Sequence, residues 1–192
     1  MTKRTLRAKM VSNIIPQGAR GVEIGVFRGK FSRELIEILA PEKLYLVDPW
    51  ENFADTSLTS SWYHADSKID MNVMYHAVRR RFVNETESGQ VEILRGTITD
   101  VVRAIPDLSL DFAYVDGDHR FEGVLNDLRR ISAKIKPGGV IFLDDYVVGH
   151  WWADGVVRAL NAFLGEAATE WQILRAMGNQ AVIRKHLIRE GT

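Results

Sequence analysis

The most informative stretch of the sequence is Gly21-Val22-Glu23-Ile24-Gly25-Val26-Phe27-Arg28-Gly29, which precedes a helical segment that contains Ser32. The first residues form a short β-prone run, and the remainder forms a turn with a glycine at each end. Two glycines allow the backbone to turn tightly and to approach a ligand at the N-terminus of the next helix. Many ordinary strand-to-helix turns also need glycine, so the turn alone indicates either a ligand site or a plain connection.

On both sides of this turn, β-prone runs alternate with helical segments. The runs that follow it are residues 44–47, 91–94, 112–115 and 140–143. Apolar residues at helical spacing predict a helix over 121–135. Another helix is predicted over 67–84, where Ser67 and Asp70 have capping-box spacing, and an N-terminal helix is predicted within 1–18. This alternation predicts an α/β fold with a doubly wound, mostly parallel sheet and helices on both faces.

The C-terminal part of the sequence differs from this alternation. After a helical segment over 155–164, two β-prone runs at 171–174 and 180–183 flank Gly178 and Asn179. A Gly-Asn pair between two such runs is typical of a hairpin turn. The sequence therefore predicts an antiparallel C-terminal hairpin at the sheet edge, within a single domain that spans residues 1–192.

Composition excludes several kinds of partner and site. The chain has 192 residues, with 25 Lys and Arg against 25 Asp and Glu, and it contains no cysteine. Balanced charge does not favour nucleic acid or membrane surfaces, and the absence of cysteine excludes disulfides and zinc–thiolate sites. No apolar run approaches the roughly 18 residues that a membrane-spanning helix requires. We therefore expect a cytoplasmic protein that acts on a small molecule, with neither nucleic acid nor membrane as its partner.

The second β-prone run ends in Val47-Asp48-Pro49-Trp50. An acid at this position is placed to accept hydrogen bonds from both ribose hydroxyls of an adenosine-containing cofactor, or else to cap a loop. Together with Gly25 and Gly29, Asp48 favours a nucleoside cofactor. A dinucleotide is disfavoured because the turn lacks the Gly-x-Gly-x-x-Gly spacing.

The Glu23-x-Gly25-x-x-x-Gly29 turn, the later Asp48 and the final hairpin resemble class I S-adenosylmethionine-dependent methyltransferases, which have a Rossmann-like sheet. The commonest form of the family turn has a further glycine where Phe27 stands, and an aromatic residue there matches the catechol O-methyltransferase branch. The resemblance implies that S-adenosylmethionine is bound by seven residues, which are Glu23, Gly25, Gly29, Ser32, Asp48, Thr97 and Asp116. For Thr97, a helix-start cap is an equally good interpretation.

Acidic residues follow two further runs, as Asp116-Gly117-Asp118-His119 and as Asp144-Asp145-Tyr146. Carboxylates at neighbouring strand ends repel one another unless a cation or hydrogen bonds compensate them, and oxygen ligands suit Mg²⁺. These motifs resemble metal-dependent macrocin- and mycinamicin-type sugar O-methyltransferases. The resemblance implies that Asp116, Asp144 and Asp145 bind the divalent cation and that His119 is the general base. Without a metal, Asp144 and Asp145 would satisfy backbone amides.

Two of these residues have simpler interpretations that involve no chemistry. Asp118 is better placed to cap a helix that starts near His119 than to bind an ion. His119 itself could be only a first-turn residue of that helix.

Two aromatic segments flank the predicted site. Residues 49–66 contain Trp50, Phe53, Trp62 and Tyr63 in a long polar connection, which we interpret as a lid over the substrate. Trp151 and Trp152 follow the run at 140–143 and form either the opposite wall of the site or an interface between copies of a homo-oligomer.

The sequence therefore predicts a methyltransferase that transfers a methyl group to a small-molecule hydroxyl with the help of a divalent cation. A metal-independent methyltransferase remains an alternative. A nicotinamide-dependent oxidoreductase and a non-catalytic binding module that keeps the cofactor fold are less favoured.

Overall fold

The computed structural model describes residues 3–149 and 151–187, and it contains a seven-stranded sheet in the order β3-β2-β1-β4-β5-β7-β6. The strands are β1 (Arg20–Ile24), β2 (Lys43–Asp48), β3 (Val91–Arg95), β4 (Leu110–Val115), β5 (Ile135–Leu143), β6 (Trp171–Met177) and β7 (Gln180–Lys185). Strands β1 to β5 pair in parallel, whereas β7 pairs antiparallel with both β5 and β6.

Seven α-helices cover the sheet in the described residues. They are α1 (Lys3–Ser12), α2 (Lys30–Leu39), α3 (Met71–Arg81), α4 (Val83–Glu87), α5 (Ile98–Val101), α6 (Phe121–Ser132) and α7 (Gly155–Glu166). None of the helices described is long and apolar enough to cross a membrane.

Alternating side chains of the strands bury two separate cores. In β4, Phe112 and Tyr114 point to the face covered by α1, α2 and α3, whereas Ala113 and Val115 point to the face covered by α5, α6 and α7. Successive side chains of a strand face opposite sides of a sheet, so an uninterrupted apolar run is what a doubly covered strand requires. The predicted α/β fold, with its mostly parallel sheet and antiparallel hairpin, is confirmed.

The order of the strands places β1 at the point where the chain reverses its direction across the sheet. From β1 the chain proceeds outward to β2 and β3, and it then returns to β4 on the other side of β1. Ligands of open α/β sheets bind in the crevice beyond the carboxyl ends of the strands at such a reversal. The ends of β1, β2, β4 and β5 therefore define where the site lies.

Two local predictions differ from the structure, and a third, the N-terminal helix, agrees with it. The helix predicted over 67–84 is two helices, α3 and α4, and its N-terminal cap is Asp70, which accepts a hydrogen bond from the Val73 amide. The helix predicted to reach Ile135 ends at Ser132, because Ile135 already pairs with Leu110 as the first residue of β5. The N-terminal helix predicted within 1–18 is α1, and Met1 and Thr2 lie outside the described residues.

Candidate active site

A cavity of about 860 Å³ opens at the carboxyl ends of β1, β2, β4 and β5. Eight of the ten residues predicted from the sequence line it, namely Glu23, Gly25, Asp48, Thr97, Asp116, His119, Asp144 and Asp145. The other two, Gly29 and Ser32, are buried at the start of α2. The topology thus brings the predicted cofactor turn and the predicted acidic motifs to one cavity.

The glycine turn after β1 lies directly against the loop after β4. Gly25 has a φ of +93°, and a Cβ atom there would stand 2.1 Å from the carbonyl oxygen of Asp116. Gly29 is the N-cap of α2 with a φ of +65°, where a Cβ atom would stand 2.6 Å from the Phe82 ring. Both positions therefore require glycine, for its positive φ and for close packing.

Asp48 ends β2 and is only 1% exposed. Its carboxylate accepts hydrogen bonds from the Phe27 amide at 2.8 Å, the Trp50 amide at 2.7 Å and the Tyr63 hydroxyl at 2.6 Å. Burial raises the pKa of Asp48 above its ordinary value, and these hydrogen bonds oppose the rise. At least three of its roughly four acceptor positions are thus used within the protein.

Glu23 lies in the middle of the sheet beside this turn and is 2% exposed. Burial raises its pKa to about 8, the nearby Ser32 hydroxyl opposes the rise, and the charge of Asp116 adds to it. Among the described residues, its Oε2 atom has no hydrogen-bond partner. A buried carboxyl oxygen that lines a cavity without a partner is costly unless a ligand or water supplies a donor.

Three side chains of types that can bind a metal converge at the same cavity. Ligand atoms of Asp116, His119 and Asp145 lie within 4.8 Å of one another. The Nε2 atom of His119 is 3.5 Å from Asp116 Oδ1 and 3.2 Å from Asp145 Oδ2. Burial would lower the pKa of His119, but the two carboxylates outweigh burial and raise the pKa to about 9.

The third predicted metal ligand, Asp144, lies apart from this cluster. It is 2% exposed, and it accepts hydrogen bonds from Gln180 Nε2 at 2.6 Å and from Arg7 Nη1. The same Arg7 atom donates to Asp116 Oδ2 at 2.7 Å. The guanidinium group therefore bridges two of the three predicted metal ligands.

Arg7 was not among the residues predicted for the site. It comes from α1, more than 100 residues from either carboxylate in sequence, so no local motif connects them. Burial would lower the pKa of Arg7, but nearby charges, including those of Asp116 and Asp144, raise it above its ordinary value. Arg7 thus carries a fixed positive charge into an acidic site.

The predicted lid lies across one side of the cavity as a looped segment whose ends are held together. Phe53 exchanges backbone hydrogen bonds with Tyr63 and Ala65, and the side chain of Asn52 donates to the carbonyl oxygens of His64 and Ile69. The Trp62 ring stacks on Phe27 of the glycine turn, with centroids 4.7 Å apart.

A side-chain contact joins the lid to the loop after β4. Arg120 donates to Asp55 at 2.7 Å and to Ser57 within the lid, and its guanidinium also pairs with Asp118 at 2.7 Å. Asp118 was predicted to cap the next helix, but the N-cap is Arg120, and Asp118 instead accepts from the Arg120 amide. A three-residue turn there places Asp118 outside the helix.

The aromatic wall predicted after β5 is present beside His119. The Trp152 ring stacks on the imidazole with centroids 4.7 Å apart, and the Trp151 ring lies edge-on at 6.4 Å. Flat aromatic faces beside an imidazole suit the packing of a ring-shaped ligand.

Two residues at the far end of the cavity complete the site. The hydroxyl of Thr97 donates to Asp100 in a capping box at the start of α5, which agrees with the cap interpretation. Asp127 of α6 was not predicted, although it lines the cavity and is buried. Burial raises the pKa of Asp127 to about 8, repulsion by Asp118 adds to the rise, and Asn126 opposes it.

Comparison with known proteins identifies the family. A family model described as a methyltransferase domain matches residues 22–146, which is more than half of the chain. The chain belongs to this methyltransferase family. The matched region begins in β1 and ends just after the Asp144-Asp145 pair, so it includes the glycine turn and both acidic motifs.

One curated relative matches a short part of this chain. An uncharacterised protein, R132 of Acanthamoeba polyphaga mimivirus, is 32% identical over 57 residues, which cover 30% of this chain and 25% of the viral protein. The match thus spans a quarter of that relative's length.

Solved structures share the fold of this chain. A putative rRNA methylase from Clostridium thermocellum superposes with a TM-score of 0.67 at 11% identity, covering 100% of this chain and 98% of the other. The O-methyltransferase TomG from Streptomyces achromogenes, solved with S-adenosylmethionine, gives 0.62 at 16% identity, covering 96% and 79%. An O-methyltransferase from Bacillus cereus, solved with S-adenosylhomocysteine, gives 0.61 at 17% identity, covering 95% and 80%.

Proposed function

We propose that this protein transfers the methyl group of S-adenosylmethionine to a hydroxyl oxygen of a small molecule, and that a divalent cation assists by activating this hydroxyl. The observation that carries the proposal is the meeting of the Gly25 turn with the Asp116, His119 and Asp145 cluster at one cavity. The first feature suits a nucleoside cofactor, and the second suits activation of a hydroxyl. The O-methyltransferases among the structural neighbours agree with this assignment.

The cofactor end of the cavity is the glycine turn together with Asp48. Gly25 lines the cavity, Gly29 allows the tight turn into α2, and Asp48 would accept from the ribose hydroxyls. S-adenosylmethionine carries a positive sulfonium, and the carboxylates of Asp116 and Asp144 offer it a favourable field. We assign Glu23 and Ser32 to the same end of the site.

The donor set of the acidic cluster fits a divalent cation. Asp116 and Asp145 offer oxygen atoms that converge with an imidazole nitrogen within 4.8 Å, and hard cations prefer carboxylate oxygens completed by water. Asp116 and Asp145 would hold the ion, whereas Asp144 is paired with Arg7 and Gln180. When bound, the ion would lower the pKa of the acceptor hydroxyl and, by its charge, the pKa of His119.

His119 is the group that accepts the proton of the acceptor hydroxyl in this proposal. Its imidazole is held by the Trp152 ring on one face, so its nitrogen stays directed at the two carboxylates. Methyl transfer requires the oxygen in line with the S–CH₃ bond, and Trp151 and Trp152 would orient a ring-shaped acceptor for this geometry.

Arg7 favours a second candidate function, methyl transfer without a metal. Its guanidinium already neutralises Asp116 and Asp144, so compensation of these two charges does not require a divalent ion. His119 would then have to activate the acceptor alone, and because its pKa is raised to about 9 this function would require alkaline pH.

A turnover assay separates these functions. The protein would be incubated with S-adenosylmethionine and a panel of sugars, catechols and amines, with and without EDTA, and S-adenosylhomocysteine would be quantified by mass spectrometry. The proposal predicts product only with hydroxyl acceptors, loss of turnover in EDTA and recovery with Mg²⁺. Full turnover in EDTA would favour the metal-independent function, and failure to bind S-adenosylmethionine would refute both.

A further inference from the structure

Arg7 has an unmet hydrogen-bonding capacity inside the cofactor cavity. Both of its contacts with carboxylates use Nη1, whereas its buried Nε has no hydrogen-bond partner among the described residues. The guanidinium lies 4.9 Å above the ring of Phe31 and 5.9 Å from the ring of Tyr114, so packing fixes its plane. A guanidinium held in this way is suited to planar recognition of a carboxylate.

The helix beside Arg7 also favours a negative group. Phe31 belongs to the first turn of α2, whose N-cap, Gly29, supplies no side-chain cap to the free amides of that turn. The N-terminus of a helix attracts anions through these amides and the helix dipole. A carboxylate beside Arg7 would therefore gain from two independent sources of positive charge.

We propose that Arg7 binds the α-carboxylate of the amino-acid portion of S-adenosylmethionine. This inference rests on the proposed function, and it assigns a residue to a part of the cofactor that the sequence motifs do not reach. The amino-acid portion is a zwitterion, and the same end of the cavity offers Asp116 and the unpartnered Oε2 of Glu23 for its ammonium group. Opposite charges in the protein thus match opposite charges in the ligand.

The other basic side chains that line the cavity, Arg28, Lys30 and Arg120, fit this carboxylate less well. Arg28 is exposed and lies over the Phe27 ring, 5.0 Å from its centroid. Arg120 is held by Asp118 and Asp55 at the lid. Lys30 is the first residue of α2, but it is exposed and would have to give up its hydration. Lys30 is therefore both the competing candidate and the matched control.

The test compares two ligands that differ only in the carboxylate, namely S-adenosylmethionine and decarboxylated S-adenosylmethionine. Isothermal titration calorimetry would measure both on the wild type, Arg7→Met, Arg7→Lys and Lys30→Met. We expect the wild type to prefer the carboxylated ligand at least about tenfold, because hydrogen bonds between charged groups are at stake. Arg7→Met should reduce this preference to near one, Arg7→Lys should reduce it partly, and Lys30→Met should retain it.

Several results would overturn the inference, and they differ from failure of the proposed function. Arg7 would be excluded as the carboxylate ligand if Arg7→Met kept the wild-type preference for S-adenosylmethionine. It would also be excluded if Lys30→Met, and not Arg7→Met, lost this preference. An equal loss of affinity for both ligands in Arg7→Met would show that Arg7 only organises Asp116 and Asp144. A wild type without any preference would overturn the inference even if the variants failed to fold. If the wild type binds neither ligand, the assignment of S-adenosylmethionine as the cofactor would be refuted.

Discussion

Tyr63 of the lid donates a hydrogen bond to the carboxylate that the ribose is expected to use. Two ribose hydroxyls need two acceptor positions on Asp48, yet the Phe27 amide, the Trp50 amide and the Tyr63 hydroxyl already occupy three of about four. The two amides are fixed by the backbone, so Tyr63 is the donor that has to leave. Cofactor binding therefore includes the cost of breaking the Tyr63–Asp48 bond.

The variant Tyr63→Phe lacks the hydrogen bond to Asp48, so cofactor binding no longer has to break it. A hydrogen bond to a charged group contributes about 1.5–3 kcal/mol, which corresponds to about tenfold to a hundredfold in affinity. We expect Tyr63→Phe to bind S-adenosylhomocysteine more tightly by up to this factor. The free protein should at the same time become less stable, since buried Asp48 loses a partner.

Isothermal titration calorimetry would measure the affinity, and guanidinium denaturation would measure the stability. Tyr75→Phe is the matched control, because it deletes the same hydroxyl from a ring that lies against Trp50 and not against Asp48. Weaker binding by Tyr63→Phe would refute the reasoning and would place the Tyr63 hydroxyl within the cofactor site. Equal changes in both variants would assign the effect to the rings alone.

Three further predictions concern the metal, a buried acid and the lid. Asp145→Ala should abolish Mg²⁺-dependent turnover but leave S-adenosylhomocysteine affinity within about twofold; turnover equal to that of the exposed control Asp66→Asn would contradict the metal role. Folded Asp127 keeps its proton up to about pH 8, whereas the unfolded chain loses it near pH 4, so the free energy of unfolding should fall by up to about 1.4 kcal/mol per pH unit between these values. Denaturation at pH 5 and at pH 8 should show that the free energy of unfolding falls less between these pH values in Asp127→Asn than in Asp66→Asn. Equal falls in the two variants would contradict a raised pKa of Asp127. Arg120→Met should speed hydrogen exchange of lid residues 53–65, and unchanged exchange would show that Arg120 does not hold the lid.

The sheet could be predicted because its strands are covered on both faces. Such strands appear in the sequence as uninterrupted apolar runs, and strand β4 is a clear instance. The ends of helices were less predictable. Ile135 continues the apolar spacing of α6 and yet belongs to β5, while Ser67 and Asp70 are both good caps, and the sequence does not distinguish which one begins the helix.

The carboxylates of the site other than Asp127 could be predicted because each lies at the carboxyl end of a strand or directly after it. Arg7 could not be, since its contacts with Asp116 and Asp144 depend on how α1 packs against the sheet. Asp127 did leave a signal in the sequence. It lies three residues after Val124 and four before Ile131, on the apolar face of α6, where a charged residue needs an explanation.

The buried acids of the cavity are neutralised in different ways, and this difference indicates where ligands bind. Raised pKa values allow Glu23 to retain a proton, whereas Arg7 supplies a permanent charge to Asp144. Asp145 lies 3.2 Å from the Nε2 atom of His119, whose charge depends on a proton. A cation that enters the cavity can replace a proton more readily than it can displace a guanidinium fixed by packing. Among the described acids, the Asp145 side of the cluster is therefore where a divalent ion competes best, and Arg7 remains available for the carboxylate of the cofactor.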